Sequence, residues 1–227
     1  CSSLNIFNNY CPNQPSTVLV APTGFAGYNW SNGGTTQAIT INNPVAGSVY
    51  TCVLTSVTGC TVSVSTLLNP IQVLPNFIAV PLCDKTISFV DSSTVLNGGI
   101  ITGWQWLFGD GSGSTQINPV HVYQNPGPVN VTLIITTSTG CQDTIIKSVV
   151  VEPTPVASFS VTPQCPGTPY IFTDQSTIVF GTISKHVWDF GDGTKDSVNL
   201  NPSHLYSTNG LHTVTLTVTG ANGCTDD

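Results

Sequence analysis

Apolar and polar residues alternate along much of the chain. In "HTVTLTVTG", Val214, Leu216 and Val218 fall on one face and Thr213, Thr215, Thr217 and Thr219 on the other, and Val131, Leu133 and Ile135 repeat the pattern in "VNVTLIITT". A period of two is that of a strand with one face buried. Trp104, Trp106 and Phe108 share one face of a further run, as do His186, Trp188 and Phe190. Helix-period patterns are scarce, and Gly and Pro punctuate short runs of Val, Ile, Thr, Phe and Tyr. The pattern predicts an all-β chain built as two-sheet β-sandwiches, with a barrel as the second choice.

The predicted strands recur. The stretch "TGWQWLFGDGSGSTQINPVHVYQNPGPVNVTLIITTSTGCQD" returns as "SKHVWDFGDGTKDSVNLNPSHLYSTNGLHTVTLTVTGANGCTD". Trp106 and Trp188, Phe108 and Phe190, and Asp110 and Asp192 lie 82 residues apart, whereas His121 and His204, Tyr123 and Tyr206, and Cys141 and Cys224 lie 83 apart. One insertion accounts for the step. "ISFVDSST" upstream of the first copy mirrors "YIFTDQST" upstream of the second. The first third is a looser relative with the same order of Cys, strand, Trp strand and Gly-Cys, in "CPNQPSTVLV", "YNWSNGGTTQAITI" and "GSVYTCVLTSVTGC". Pro residues interrupt the alternation near residues 75 and 153, so the expected units are 1–74, 75–152 and 153–227, the last lacking the strand that "TIIKSVVV" supplies in the second.

Charge narrows the function classes. Only 7% of the 227 residues are charged, Arg is absent, and Lys85, Lys147, Lys185 and Lys195 are scattered. Such a surface offers no basic stripe for nucleic acid. The net charge of -7 comes from dispersed acids, and no apolar run is long enough to span a bilayer.

Eight Cys without a CxxC spacing predict disulfides in an oxidising compartment, with zinc the weaker reading. Each unit has one Cys ahead of its second strand and one directly after a turn glycine (Gly59, Gly140, Gly223). The repeat therefore predicts Cys11 with Cys60, Cys83 with Cys141 and Cys165 with Cys224, each bridge inside one unit. The Tyr two residues before Cys52 in "VYTC" leaves open Cys11 with Cys52 instead. Cys1 is left to bond Cys52 or a partner upstream.

"WLFGDG" (106–111) and "WDFGDG" (188–193), followed by "NPVHVY" and "NPSHLY" and then by the Gly-Cys strands, resemble PKD (polycystic kidney disease) domains over about the last two thirds of the chain. The resemblance implies tandem immunoglobulin-like β-sandwich domains arranged end to end, the first unit being similar to the immunoglobulin-like repeats found beside PKD domains. The Cys-bridged units with "NGC" turns resemble those of gliding adhesins and other cell-surface proteins exported by type IX secretion. That likeness implies a non-catalytic segment of an extracellular stalk, outer membrane-attached through other parts of a parent chain. Its expected partners are neighbouring repeats, export or cell-surface assembly proteins and surface glycans. A spacer or substrate-binding accessory region of a secreted hydrolase is the alternative. Leu107 stands where the second copy has Asp189, so no function needing that carboxylate is common to both copies.

Two chemical readings compete with this structural one. Asp189, Phe190 and Gly191 spell the magnesium-holding triplet of protein kinases, but the catalytic-loop Asp, Gly-rich loop and paired Lys are missing. A strand end entering a turn fits better, with Trp106, Phe108, Trp188 and Phe190 buried and Asp110 and Asp192 bonded to local amides. Calcium is the one cofactor the residues leave open, through Asp91, Asp174, Asp189 and Asp192. His121 and His204 are repeat equivalents in different units, expected to pack at a strand start. No nucleophile and base sit at a recognisable spacing, so the expectation is no enzyme.

Overall fold

The computed structural model describes Ile6, Asn8, residues 10–12 and 14–162, Gln164, Cys165 and residues 167–227. Every regular element among them is a strand. The first unit contains β1 (Ser16–Val20), β2 (Gly27–Trp30), β3 (Ala38–Asn42), β4 (Val49–Thr55) and β5 (Thr61–Leu67). The sheet β1-β3 faces the sheet β2-β4-β5 across Leu19, Trp30, Cys52, Leu54 and Leu68.

The second unit contains β6 (Gln72–Leu74), β7 (Phe77–Pro81), β8 (Thr86–Asp91), β9 (Thr94–Leu96), β10 (Ile101–Leu107), β11 (Gly113–Ser114), β12 (Val120–Val122), β13 (Gly127–Thr137) and β14 (Gln142–Val151). One sheet runs β12-β8-β7 and the other β11-β10-β13-β14, all pairs antiparallel. Alternation decides what goes inside: Val131, Leu133 and Ile135 of β13 are fully buried, while Thr132 and Ile134 between them are not. Phe77, Phe89 and Trp106 meet edge-on or tilted at 5.2–6.0 Å between ring centroids, the arrangement that the aromatic quadrupole favours. Ile71 and Val73, ahead of Pro75, are buried in this core.

The third unit repeats the second with β15 (Phe159–Thr162), β16 (Tyr170–Asp174), β17 (Ile183–Asp189), β18 (Lys195–Asp196), β19 (Ser203–His204), β20 (Thr215–Gly220) and β21 (Thr225–Asp226). Its sheets are β15-β16-β19 and β18-β17-β20-β21, and even the register shift at Ile101/Gly103 returns at Ile183/Lys185. β21 holds two residues where β14 holds ten.

The disulfides differ from the sequence expectation. Cys11 bonds Cys141 and Cys83 bonds Cys224, while Cys52, Cys60 and Cys165 are free. None of Cys11 with Cys60, Cys83 with Cys141, Cys165 with Cys224 or Cys11 with Cys52 forms, and Cys1 lies outside the described residues. Strand direction explains the change. Cys83 follows β7 at the end of the second unit where Tyr123 N–H donates to Lys85 O, just before β13 begins. Cys141 follows β13 at the other end, where Thr137 pairs with Ile101. Eleven residues of strand separate the two by roughly 35 Å, and a disulfide requires Cα atoms within about 7 Å. The Gly-Cys turn of one unit instead abuts the opposite end of the unit before it, at Cα separations of 5.3 and 5.4 Å.

Candidate functional site

Each Phe-Gly-Asp-Gly turn is built from the core outwards. Trp106 and Trp188 are fully buried, and Phe108 and Phe190 close the core at the strand end. The chain must then turn against the next strand: Gly109 and Gly191 have φ of 85° and 75°, and a Cβ on Gly191 would lie 2.2 Å from Thr213 O. Only glycine fits such a position. Asp110 accepts the Ser112 amide at 3.0 Å and Asp192 the Thr194 amide at 3.0 Å. The other oxygen of each carboxylate meets the imidazole Nε2 of His121 or His204 at 2.7 Å. Each imidazole lies flat on Phe108 or Phe190, with centroids 4.2 Å apart, and the Tyr123 or Tyr206 hydroxyl donates to the Phe108 or Phe190 carbonyl at 3.1 or 3.0 Å.

These contacts fix the electrostatics. Burial pushes the Asp110 carboxyl up, but hydrogen bonds from the Ser112 side chain, His121 and the Ser112 amide outweigh it, leaving it lowered to about 2. The Thr194 side chain, His204 and the Thr194 amide hold Asp192 well below the usual carboxylate range. Burial pushes the Tyr123 hydroxyl up to about 12, with Asp110 adding to the shift. The result is an anionic brace that ties a turn to the strand beside it. A nucleophile is not part of it.

The four carboxylates considered for calcium are divided between opposite ends of the units. Asp91 and Asp174 cap the amides of Ser93 and Ser176 and reach Trp104 Nε1 (2.8 Å) and His186 Nε2 (3.2 Å). Asp189 accepts the Gly191 amide and pairs with Lys195 at 2.8 Å, and Leu107 takes its place in the second unit. Among the described residues, no three His, Cys, Asp or Glu are grouped to hold a metal ion.

The joints between units are what the sequence reading missed. At the joint of the second and third units, Asn222 Nδ2, in the turn that carries Cys224, donates to Pro153 O at 2.8 Å. Asp84 N–H, beside Cys83, donates to Thr154 Oγ1 at 3.1 Å. At the first joint Ile71 N–H donates to Tyr10 O at 2.9 Å, and Cys11 lies in the core of the second unit. Each joint is thus spanned by the connecting peptide, a disulfide and backbone-anchored hydrogen bonds. The sequence signal was the threefold recurrence of the two Cys positions, which showed that they are equivalent but not which of them face each other.

The family model of the PKD domain matches residues 80–153 and 151–227. The chain belongs to the PKD domain family. Collagenase ColQ1 of Bacillus cereus (strain Q1) is 41% identical over 54 residues, 24% of this chain and 6% of that protein. The microbial collagenase of Vibrio alginolyticus is 37% identical over 68 residues, 30% of this chain and 8% of that protein. The chain therefore spans less than a tenth of the length of these curated relatives. The three N-terminal domains of the bacteriophage RB49 highly immunogenic outer capsid protein share the fold across 97% of this chain and 84% of that one, with a TM-score of 0.53 and 11% identity.

PKD domains are non-catalytic, and one groove suits a strand better than a substrate. It measures about 490 Å³ in the third unit and is lined by Phe159, Val161, Tyr170, Leu211, His212 and Val214. In the second PKD unit β14 lies in the equivalent place, between β13 and the strands β6 and β7. His212 stacks on Tyr206 with centroids 4.1 Å apart.

Proposed function

We propose that this chain is a non-catalytic, disulfide-stapled spacer of an exported protein, set in the accessory region of a hydrolase rather than in the stalk of a gliding adhesin. The observation that carries the spacer reading is the pair of cross-unit disulfides, Cys11–Cys141 and Cys83–Cys224. A bridge inside a unit would stabilise that unit alone, whereas a bridge across a joint restrains the angle between two of them. Such bridges persist in oxidising compartments, which supports export. The partial matches to collagenases favour the hydrolase setting. A spacer is favoured over a substrate-binding module because Trp30, Trp106 and Trp188 are buried as core. No side-chain platform of those rings faces solvent.

Small-angle scattering and collagen-fibril sedimentation test this reading together. The oxidised chain should show one narrow distribution of maximum dimension, broadened in Cys83→Ser/Cys224→Ser, and should stay in the supernatant. Equal breadth in both proteins would remove the stapled spacer, and saturable sedimentation would make the chain a binding module. Peptide mapping of the parent protein separates the two settings: a catalytic domain in the same chain supports the hydrolase, and a long array of further repeats supports the stalk.

A further inference from the structure

Two of the free cysteines occupy positions that are bonded elsewhere in the same molecule. Cys11, Cys83 and Cys165 precede β1, β8 and β16, and the carbonyl of each accepts the amide three residues on, from Gln14, Thr86 and Thr168, at 3.1, 3.3 and 3.1 Å. Cys60, Cys141 and Cys224 each close a turn whose glycine has φ of 84°, 82° and 86°. The Cys carbonyl there accepts the amide of Ser56, Thr137 or Gly220 at 2.8–2.9 Å. The same carbonyl-to-amide hydrogen bond therefore recurs three times over in each half of the link. In the two joints the chain contains, the first kind of Cys is bonded to the second kind in the following unit. Cys165 and Cys60 are the remaining member of each set, and both thiols are exposed. Cys52 is in neither set and is buried in the first core.

We propose that Cys165 and Cys60 are the two open half-links of a disulfide ladder, and that the face around Cys165 receives the Gly-Cys turn of another unit of this type. A second copy of this chain presents that turn at its own Cys60. Bonded turn cysteines are buried, Cys141 at 1% and Cys224 at 3% exposure, so the turn docks as it links. Formation needs an oxidant, which a small disulfide such as oxidised glutathione supplies by thiol–disulfide exchange. The Cys165 thiolate attacks it, forming a mixed disulfide and releasing one glutathione thiolate. The Cys60 thiolate of the second molecule then attacks the Cys165 sulfur, forming Cys60–Cys165 and releasing the second. Two protein thiols are oxidised, one glutathione disulfide is reduced, and the two protons pass to the glutathione thiolates.

The test uses the purified chain with Cys11–Cys141 and Cys83–Cys224 intact, equilibrated at high concentration in a mixture of reduced and oxidised glutathione, then mapped without reduction by mass spectrometry. The expected product is head-to-tail multimers in which the Cys60–Cys165 peptide exceeds Cys60–Cys60 and Cys165–Cys165 at least tenfold. Mixing Cys60→Ser with Cys165→Ser protein should give dimers joined through the one remaining Cys60 and the one remaining Cys165. Statistical pairing of the two thiols, monomers carrying only glutathione adducts, or a bond from Cys165 to a Cys of its own chain would each overturn the proposal.

Discussion

Among single residues, the two tryptophans at equivalent positions are not equivalent in energy. Trp106 Nε1 donates to Gln116 O at 2.9 Å, whereas Trp188 Nε1 is buried with no partner. In the third unit Asp196 accepts the amides of Val198 and Asn199, where in the second Ser114 Oγ accepts the Gln116 amide. An unsatisfied buried N–H costs about 1–3 kcal/mol, so Trp188→Phe should destabilise less than Trp106→Phe by roughly that amount in chemical denaturation. Gly191→Ala should cost about 2 kcal/mol or more, because it adds a clash with Thr213 O to a positive φ. The brace of Asp110 and His121 gives a pH dependence. The folded Asp110 carboxyl lies at about 2, below its unfolded value of about 3.9. Its contribution is fully present above the unfolded value and is lost as pH falls from about 4 towards 2. Melting temperature should fall over that window in the native chain, and less steeply in Asp110→Asn.

Strands and turns carry the next level of specification. Tyr123→Phe removes the hydroxyl that ties β12 and the segment after it to the Phe108 carbonyl, and the loss should be about 1 kcal/mol in equilibrium unfolding, with Tyr206→Phe behaving alike. Strand identity was legible because alternation of Val214, Leu216 and Val218 with threonines is a local property of the chain. The turn was legible for the same reason: Gly109 and Gly191 mark φ values that few other residues adopt, and Asp110 and Asp192 sit where they cap amides. The partners of the cysteines were not legible. Pairing depends on which end of a sheet each turn occupies, and end-for-end position is decided by the number of strand crossings between two residues. Leu107 in place of Asp189 showed that a carboxylate is absent from the second unit, but only the structure shows that Asp189 pairs with Lys195 in the third.

For the whole molecule, the two disulfides enclose sequence separations of 130 and 141 residues, and the enclosed segments overlap. In the chain-entropy model one loop of that size is worth about 5 kcal/mol. Cys83→Ser/Cys224→Ser should therefore lower the melting temperature of the third unit most, since its core cluster is the smallest of the three. Near-ultraviolet circular dichroism of the buried Trp188 would report it. A variant that melts with the native midpoint would show that the bridge adds nothing to the joint.

The overlap of the two bridges also governs how the chain behaves under tension. Pulled from Cys11 and Cys224 after its sandwiches have given way, the oxidised chain can pay out only the segment from Cys83 to Cys141 before force passes through both sulfur bridges. That segment is roughly 200 Å at full extension, against roughly 700 Å for the reduced chain. In single-molecule pulling, oxidised molecules should stop short at the smaller length and reduced ones should run to the larger. A tether wired in this way keeps its reach even when its folds fail.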